Sequence, residues 1–268
     1  MLHGRGTGPW SEKVPRKFAR VTRGVPILMY HLVSPRSPQG FSDYTVTPER
    51  FEQQMQKLRR LQCVSISPDD LLAASEGRSE LPPRAVLITF DDGFRDCLHH
   101  AAPVLVELGL TATMYVVAGQ LGGRSRWMTG VELELLNNRE VLELERAGVR
   151  CESHAMTHPR LATLDTDGIR RELRDSRAVL EDVLGHEVRH IAYPHGSYDE
   201  RVLQQARLAG YVTGYTTRPA KALRTDDPLA MPRVKVDGRD KTVDFLARLT
   251  LGKDAGYPAR RVTGRRRA

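Results

Sequence analysis

The sequence predicts an α/β protein whose parallel strands close into a single barrel, and three observations support this. Short apolar runs alternate with amphipathic segments of ten to twenty residues, a pattern typical of βαβ units. About seven such units follow one another without a Pro/Gly-rich linker between residues 25 and 250. The length of 268 residues suits either one barrel or two small domains. The missing linker favours the barrel, although an open doubly wound sheet would give a similar pattern.

The predicted strands are apolar or β-branched runs between polar or turn-forming residues. VPILMY and AVLITF carry no charge and are typical of strands buried on both faces, and TATMYVV is rich in β-branched residues. In chain order, the predicted strands are 25–30, 63–66, 85–90, 111–117, 149–152, 190–193, 212–217 and 233–236.

Capping residues indicate where the intervening helices begin, and glycines indicate where several of them end. Thr47-Pro48-Glu49 and Ser67-Pro68-Asp69-Asp70 each begin a helix with a cap followed by Pro. Asp165 caps a long helix that ends at Gly185. The other predicted helices run through Val104–Leu108 to Gly109, across 130–147 to Gly148, over 199–209 and over 241–250.

The net charge of +8 comes from the two ends of the chain. Residues 1–24 and 252–268 each carry a net +5, which leaves about −2 for residues 25–251. The body is therefore not a basic nucleic-acid-binding surface, and no specific nucleic acid is expected as a partner. We interpret 1–24 as a basic N-terminal segment, 25–251 as the folded domain and 252–268 as a disordered basic tail. An anionic partner for these ends is the alternative.

No apolar stretch is long enough to span a membrane, and residues 1–24 lack the apolar core of a secretory signal. The expected location is therefore the cytoplasm, although an exported or cell-envelope protein without its leader would look the same. Three cysteines without a CxxC pair, Cys63, Cys97 and Cys151, favour a reducing compartment, and each is expected to be a small buried side chain.

Two adjacent carboxylates, Asp91 and Asp92, come directly after the predicted strand 85–90, and Gly93 lets the chain turn sharply there. Parallel α/β proteins place their functional sites at the carboxyl ends of strands. Neighbouring carboxylates repel each other, so that a cation or a proton is needed to stabilise both. The alternative is that one caps the next helix while the other is solvated.

Two imidazoles four residues apart, His154 and His158, follow the predicted strand 149–152. On a helical turn they would converge on one cation, and an Asp with two His is a common ligand set for Zn²⁺ and related ions. A third segment, Ala192-Tyr193-Pro194-His195-Gly196, also follows a strand, and its turn can present a backbone N–H to a developing oxyanion. By itself it is a tight turn.

These residues resemble the polysaccharide deacetylase family (NodB-homology domain, carbohydrate esterase family 4) over about residues 25–236. The motifs are TFDDG followed by SHAMTHP. PILMYHLV near the start and IAYPHG are similar to the subgroup related to poly-N-acetylglucosamine deacetylases. The resemblance implies a deformed (β/α)7-type barrel with the NodB-homology fold. It also implies a metal-dependent hydrolase that removes acetyl groups from N-acetylated, sometimes O-acetylated, sugars by cleaving carbon–nitrogen (non-peptide) amide bonds.

The resemblance also implies a role for each motif residue. Asp91 is expected to be the general base, and Asp92, His154 and His158 are expected to be the metal ligands. The turn of Tyr193, Pro194 and His195 would contact the substrate and the oxyanion, through the His195 backbone N–H. Zn²⁺ is the default metal, with Co²⁺, Ni²⁺ or Mn²⁺ as alternatives.

The sequence departs from the common family pattern in two ways. No His follows His195, so that the general acid is expected to be His31, as in the circularly permuted subgroup, with His195 as its competitor. Ala192 stands where most members have an Arg that pairs with the catalytic Asp, and Arg233 is the candidate replacement. Trp127 and Met128 would line a sugar site or pack beside a helix.

The leading interpretation is a metal-dependent carbohydrate deacetylase acting on an N-acetylated carbohydrate. The alternative is a glycan- or metal-binding protein that keeps the barrel without turnover. The complete set of Asp91, Asp92, His154 and His158 favours the enzyme, because a binding protein would not need a base beside a metal. The motifs do not distinguish the sugar, the linkage or N- from O-deacetylation.

Overall fold

Ten strands and seven helices make up the fold of this computed structural model, which describes residues 24–128 and 130–252. The strands are β1 (Ile27–Tyr30), β2 (Leu32–Val33), β3 (Thr45–Val46), β4 (Val64–Ser65), β5 (Ala85–Phe90), β6 (Ala112–Val116), β7 (Val149–Ser153), β8 (His190–Ala192), β9 (Thr213–Pro219) and β10 (Met231–Lys235). The helices are α1 (Pro48–Arg60), α2 (Pro68–Ser75), α3 (Ala102–Glu107), α4 (Asn138–Arg146), α5 (Thr166–Leu184), α6 (Glu200–Leu208) and α7 (Thr242–Leu251).

Seven parallel strands close into a barrel in the order β1-β10-β9-β8-β7-β6-β5. The barrel closes because β1 pairs with β5 as well as with β10, with Ile27 opposite Leu87 and Tyr30 opposite Phe90. Strand β4 extends the sheet beside the start of β5, and β2 pairs with β3 in a separate two-stranded sheet. The predicted (β/α)7-type barrel is therefore confirmed, and the open sheet is excluded.

Strands β1, β5 and β6 are buried along their whole length, which explains their apolar sequences. All six residues of β5 are buried. Alternate residues such as Ile27, Leu87 and Tyr115 cluster inside the barrel, whereas Leu28, Ile88 and Met114 pack outwards with helix residues. Cys63, Cys97 and Cys151 are buried and unpaired, as predicted.

Helix ends follow the capping signals in the sequence. The Thr47 hydroxyl accepts from the backbone N–H of Arg50, and Asp165 accepts from Gly168 at 2.6 Å. Helix α5 ends at Gly185, whose φ of 73° lies in the left-handed region.

One helix boundary differs from the prediction of a helix across 130–147. Helix α4 begins only at Asn138, because the Asn137 side chain accepts from the backbone N–H of Glu140 and so caps it. The preceding residues are extended, and Leu135 donates to the carbonyl of Gly123. Strands β2 and β3 were also not predicted from the sequence.

The predicted basic segments 1–24 and 252–268 lie outside the described residues, apart from Gly24 and Gly252. Within the described part of the chain, no helix combines the length and apolar character needed to cross a bilayer.

Candidate active site

The polar motif residues meet at one rim of the barrel. Asp91 and Asp92 follow β5, His154 follows β7, and the turn Pro194–Gly196 follows β8. Because all seven strands are parallel, their carboxyl ends lie at the same end of the barrel. His31 follows β1 at this same rim, so that segments far apart in sequence converge there.

Three side chains at the rim, Asp92, His154 and His158, face a common point. The Nε2 atoms of His154 and His158 lie 3.3 Å and 3.1 Å from Asp92 Oδ1. All three side chains are buried, and their potential ligand atoms lie within 4.8 Å of one another. The sequence therefore identified the residues that converge here.

The two imidazoles converge through a loop and not on a helical turn, the geometry under which their spacing would direct them at one cation. Residues 154–158 lie between β7 and the short turn Leu161–Thr163, outside any helix. Ala155 and His158 have φ values of 64° and 66°, in the left-handed region that non-glycine residues seldom adopt. These two turns, rather than a helical period, direct both rings towards Asp92.

Hydrogen bonds prepare this cluster for a cation. Nδ1 of His154 lies 2.7 Å from the carbonyl oxygen of Ala192. A carbonyl oxygen only accepts, so Nδ1 donates to it, and this bond orients the ring with Nε2 facing Asp92. Burial tends to raise the pKa of Asp92, but hydrogen bonds with His154 and His158 hold it well below its usual range.

The residues present fit a divalent transition metal. One carboxylate oxygen and two imidazole nitrogens form a mixed donor set, and three protein ligands leave positions open for other ligands, as in catalytic sites. The hydrogen bond from a ligand imidazole to a backbone carbonyl is the usual support of a metal-binding His.

Asp91, the neighbouring carboxylate, is held by Arg233 on β10. The two guanidinium NH2 groups donate to Oδ1 and Oδ2 of Asp91, each at 2.6 Å, and Arg233 Nε donates to the carbonyl oxygen of Thr216 at 3.0 Å. The side chains of Arg233 and Asp91 are 0% and 3% exposed. Burial tends to raise the pKa of Asp91, but the Arg233 charge and hydrogen bonds, together with the charge of His154, lower it. Arg233 therefore occupies the role predicted for it, opposite Asp91.

The two candidate acids lie at this rim on separate elements. His31 packs edge-on against the Tyr44 ring, with 4.8 Å between ring centroids. Burial lowers the pKa of His31 from its usual value, while the charges of Asp92 and Asp91 act in the opposite direction. The His195 ring packs edge-on against His158 at 4.6 Å. Burial, together with the charges of His158 and Arg160, lowers the pKa of His195 to about 4.

The turn after β8 has a special backbone conformation. His195 has a φ of 58°, and Pro194 before it is buried. The Tyr193 side chain is used in packing: its hydroxyl donates to the carbonyl oxygen of Leu229 at 2.9 Å, and its ring stacks on Tyr198. The Tyr193 and Pro194 side chains are therefore used in packing, and the backbone of the turn and the His195 ring remain the candidates for substrate contact.

Trp127 lies against a predicted metal ligand. Its ring stacks on His158 at 4.3 Å between centroids with an interplanar angle of 24°. It also packs with Met128 in a small apolar cluster that contains Phe94 and Leu135. Trp127 therefore packs in this cluster and against a predicted metal ligand, while its lining of a sugar site stays a prediction.

Two residues near the site carry no clear sequence signal. Tyr44, which contacts His31, comes from the segment between β2 and β3, and Lys235 Nζ lies 3.8 Å from its ring centroid. Glu172 on α5 contacts the loop between His154 and His158. Neither residue belongs to a strand-end motif, which was the signal used to find the others.

Comparisons with known proteins match the family and the fold. The family model described as polysaccharide deacetylase matches residues 78–214. YxkH of Bacillus subtilis is 29% identical over 212 residues, covering 79% of this chain and 71% of its own length. A poly-β-1,6-N-acetyl-D-glucosamine N-deacetylase of Staphylococcus aureus is 22% identical over 211 residues, covering 75% and 70%. The solved structure of the Streptococcus pyogenes deacetylase PplD in complex with acetate has a TM-score of 0.75 and 27% identity, covering 86% of this chain and 99% of PplD.

Proposed function

The chain belongs to the polysaccharide deacetylase family, and from this premise we propose that it is a divalent-metal-dependent hydrolase that removes acetyl groups from N-acetylated sugars. One observation carries the proposal. The buried cluster of Asp92, His154 and His158 lies beside a carboxylate, Asp91, that an Arg holds ionised. A sugar-binding protein without turnover would have no use for a base next to a metal site.

We assign Asp92, His154 and His158 as the residues that would hold the cation. When bound, a divalent cation supplies Lewis acidity towards an acyl oxygen and lowers the pKa of coordinated water. The geometry supports the assignment, because Oδ1 of Asp92 and the Nε2 atoms of both imidazoles face a common point.

Asp91 is the proposed general base. Arg233 hydrogen-bonds both of its oxygens and keeps the carboxylate ionised despite burial, so that it can accept a proton. In the proposed reaction Asp91 takes a proton from a water molecule, and the oxygen of the resulting hydroxide bonds to the acetyl carbon. The carbon–nitrogen bond then breaks, and the sugar nitrogen leaves as an amine.

The leaving nitrogen needs a proton, which we assign to His31. His31 follows β1 at the same rim, and the backbone N–H of Asp91 donates to the carbonyl of Tyr30, the residue before His31, at 3.0 Å. His195 remains the competitor because it contacts His158. The turn that contains His195 is the proposed source of a backbone N–H for the oxyanion.

A β-1,6-linked N-acetylglucosamine oligomer is the substrate proposed for the first assay, since a relative covering three quarters of this chain is named for activity on that polymer. The test measures acetate released from this oligomer by the full chain. The metal-stripped protein should release none, and Zn²⁺, Co²⁺, Ni²⁺ or Mn²⁺ should restore release.

A matched control is Asp175→Asn, which removes a carboxylate from α5 where Asp175 pairs with Arg174, outside the proposed site. This variant should match the wild-type rate. The proposal fails if no acetate is released with any of the four cations, or if release continues undiminished after the metal content has been shown to be zero.

A further inference from the structure

Glu172 on α5 binds the peptide segment between the two imidazoles of the metal cluster. Its Oε2 accepts hydrogen bonds from the backbone N–H groups of Met156 and Thr157, each at 2.9 Å. Its Oε1 accepts from the Thr157 hydroxyl at 2.6 Å. One carboxylate therefore makes three hydrogen bonds within the five-residue segment that begins and ends with His154 and His158.

This segment has a backbone that its own residues do not favour. Ala155 and His158 lie on either side of the two amides that Glu172 binds, and both have a positive φ. Residues of this type adopt that conformation only when their surroundings impose it. External contacts are therefore needed to keep the two imidazoles directed at Asp92.

The loop is held from two sides. On the β6 side, Ala118 donates to the carbonyl of Ala155 at 3.1 Å and Gly119 donates to the carbonyl of Met156 at 2.9 Å. On the α5 side, Glu172 accepts hydrogen bonds from the backbone N–H groups of Met156 and Thr157. The carbonyl and the amide of Met156 are thus fixed by different elements, which restricts rotation of the peptides on both sides of it.

One turn further along α5, the Ser176 hydroxyl lies 3.0 Å from the hydroxyl of Ser153, the last residue of β7. Glu172 and Ser176 are four residues apart and so share a face of the helix. This face contacts the chain immediately before His154 and again between His154 and His158. Helix α5 therefore supports the histidine loop, although it contributes no residue to the cluster.

We propose that Glu172 is a positioning residue that presets His154 and His158 for cation binding through the backbone of Met156 and Thr157. The inference rests on the proposed metal site. It assigns to Glu172 an effect on metal affinity rather than on the chemical step, because its carboxylate contacts the loop and not the converging ligand atoms. Partners that orient metal ligands typically contribute 10- to 100-fold to affinity or activity.

The experiment measures the affinity of the metal-stripped full chain for Zn²⁺ alone, by competition with a chromogenic chelator, and the visible absorption of the Co²⁺ form. No substrate is present. Four variants are compared with the wild type: Glu172→Ala, Glu172→Gln, Thr157→Val and the control Asp175→Ala. The control removes the same charge from the same helix but leaves the loop contacts in place. The melting temperature of each metal-free protein is measured alongside.

Glu172→Ala should weaken Zn²⁺ binding 10- to 100-fold and alter the Co²⁺ spectrum. In a separate acetate-release assay at saturating metal, its kcat should approach the wild-type value. Glu172→Gln should bind within about threefold of wild type, because its amide oxygen can still accept from both backbone N–H groups. Thr157→Val keeps the two bonds from backbone N–H groups and loses the hydroxyl bond, so its Zn²⁺ affinity should lie between those of Glu172→Ala and Glu172→Gln. The Zn²⁺ affinity of Asp175→Ala should match that of the wild type.

Equal Zn²⁺ affinity in wild type and Glu172→Ala would overturn the inference, as would an equal loss in Asp175→Ala. A lower melting temperature with unchanged affinity would show that Glu172 serves only the fold. If Glu172→Ala does not fold, the other two variants decide. The inference is then overturned when Thr157→Val binds Zn²⁺ as tightly as the wild type while Glu172→Gln binds it tenfold more weakly. A wild type that binds no Zn²⁺ would instead refute the proposed function, so that the two failures are distinguishable.

Discussion

Replacing Arg233 by Met tests how the barrel keeps Asp91 ionised. Methionine approximates the volume of the arginine stem but removes the charge and its donors, including the two that bind Asp91 at 2.6 Å. Both side chains are almost completely buried, so water cannot take over these bonds. Breaking such a buried pair costs about 3–5 kcal/mol of the free energy of unfolding. At this chain length, the loss corresponds to a fall in melting temperature of about 6–20 °C.

The same substitution should change the pH dependence of stability. In the wild type the folded-state pKa of Asp91 lies below its unfolded value, so its stabilisation is present above the unfolded pKa and lost as the pH falls through the folded one. Without Arg233, burial should raise the folded pKa, so stability should instead decrease as the pH rises. The difference in unfolding free energy between wild type and variant should therefore grow from pH 4 to pH 8.

Activity should follow the protonation of Asp91. The acidic limb of the pH profile of kcat/KM should move to higher pH in Arg233→Met. At neutral pH the rate of deacetylation should decrease by about 10²–10⁴-fold, which is the contribution of a general base. Chemical denaturation and acetate release across pH 4–9 measure both effects. Arg207→Met is the control, because Arg207 pairs with Asp227 at the protein surface. An unshifted acidic limb in Arg233→Met would show that Arg233 does not keep Asp91 ionised.

Three further predictions concern single side chains. Asp91→Asn should lower acetate release at least 100-fold while Zn²⁺ affinity, measured by chelator competition, stays within about threefold; a parallel loss of both would contradict its role as base. His31→Ala should lower deacetylation at least tenfold with its metal content intact, and a larger loss in His195→Ala would transfer the acid role to His195. Burial raises the pKa of Asp96 to about 8, so that the neutral carboxyl favours folding and the free energy of unfolding decreases as the pH rises from about 4 to 8. Asp96→Asn should reduce this decrease, measured by urea titration at each pH. An unchanged dependence on pH in the variant would contradict this role of Asp96.

The sequence predicted those features that depend on local order in the chain. Asp91, Asp92 and His154 could be placed at one rim because each lies just after the end of a predicted strand, and parallel strands end together. The capping signals of α1 and α5 were also local, and both helices begin as predicted. The predicted start of α4 was wrong, because the leucines before Asn137 fit an amphipathic helix but pair as extended chain.

Features that depend on distant contacts could not be predicted from patterns. His158 reaches Asp92 through two left-handed residues, a conformation that a four-residue spacing does not encode. Arg233 lies 142 residues from Asp91 and became a candidate only because Ala192 left a role unfilled. Tyr44 and Glu172 gave no signal, since one is in a connecting segment and the other is an ordinary acidic residue of an amphipathic helix.

The most direct test of the metal site is anomalous diffraction from crystals of the full chain grown with Zn²⁺, recorded on both sides of the zinc edge. We expect one strong peak per chain at the rim of the barrel, about 2.0–2.2 Å from Asp92 Oδ1 and from the Nε2 atoms of His154 and His158. Zinc peaks only at other positions, with these three side chains still hydrogen-bonded to one another, would contradict it.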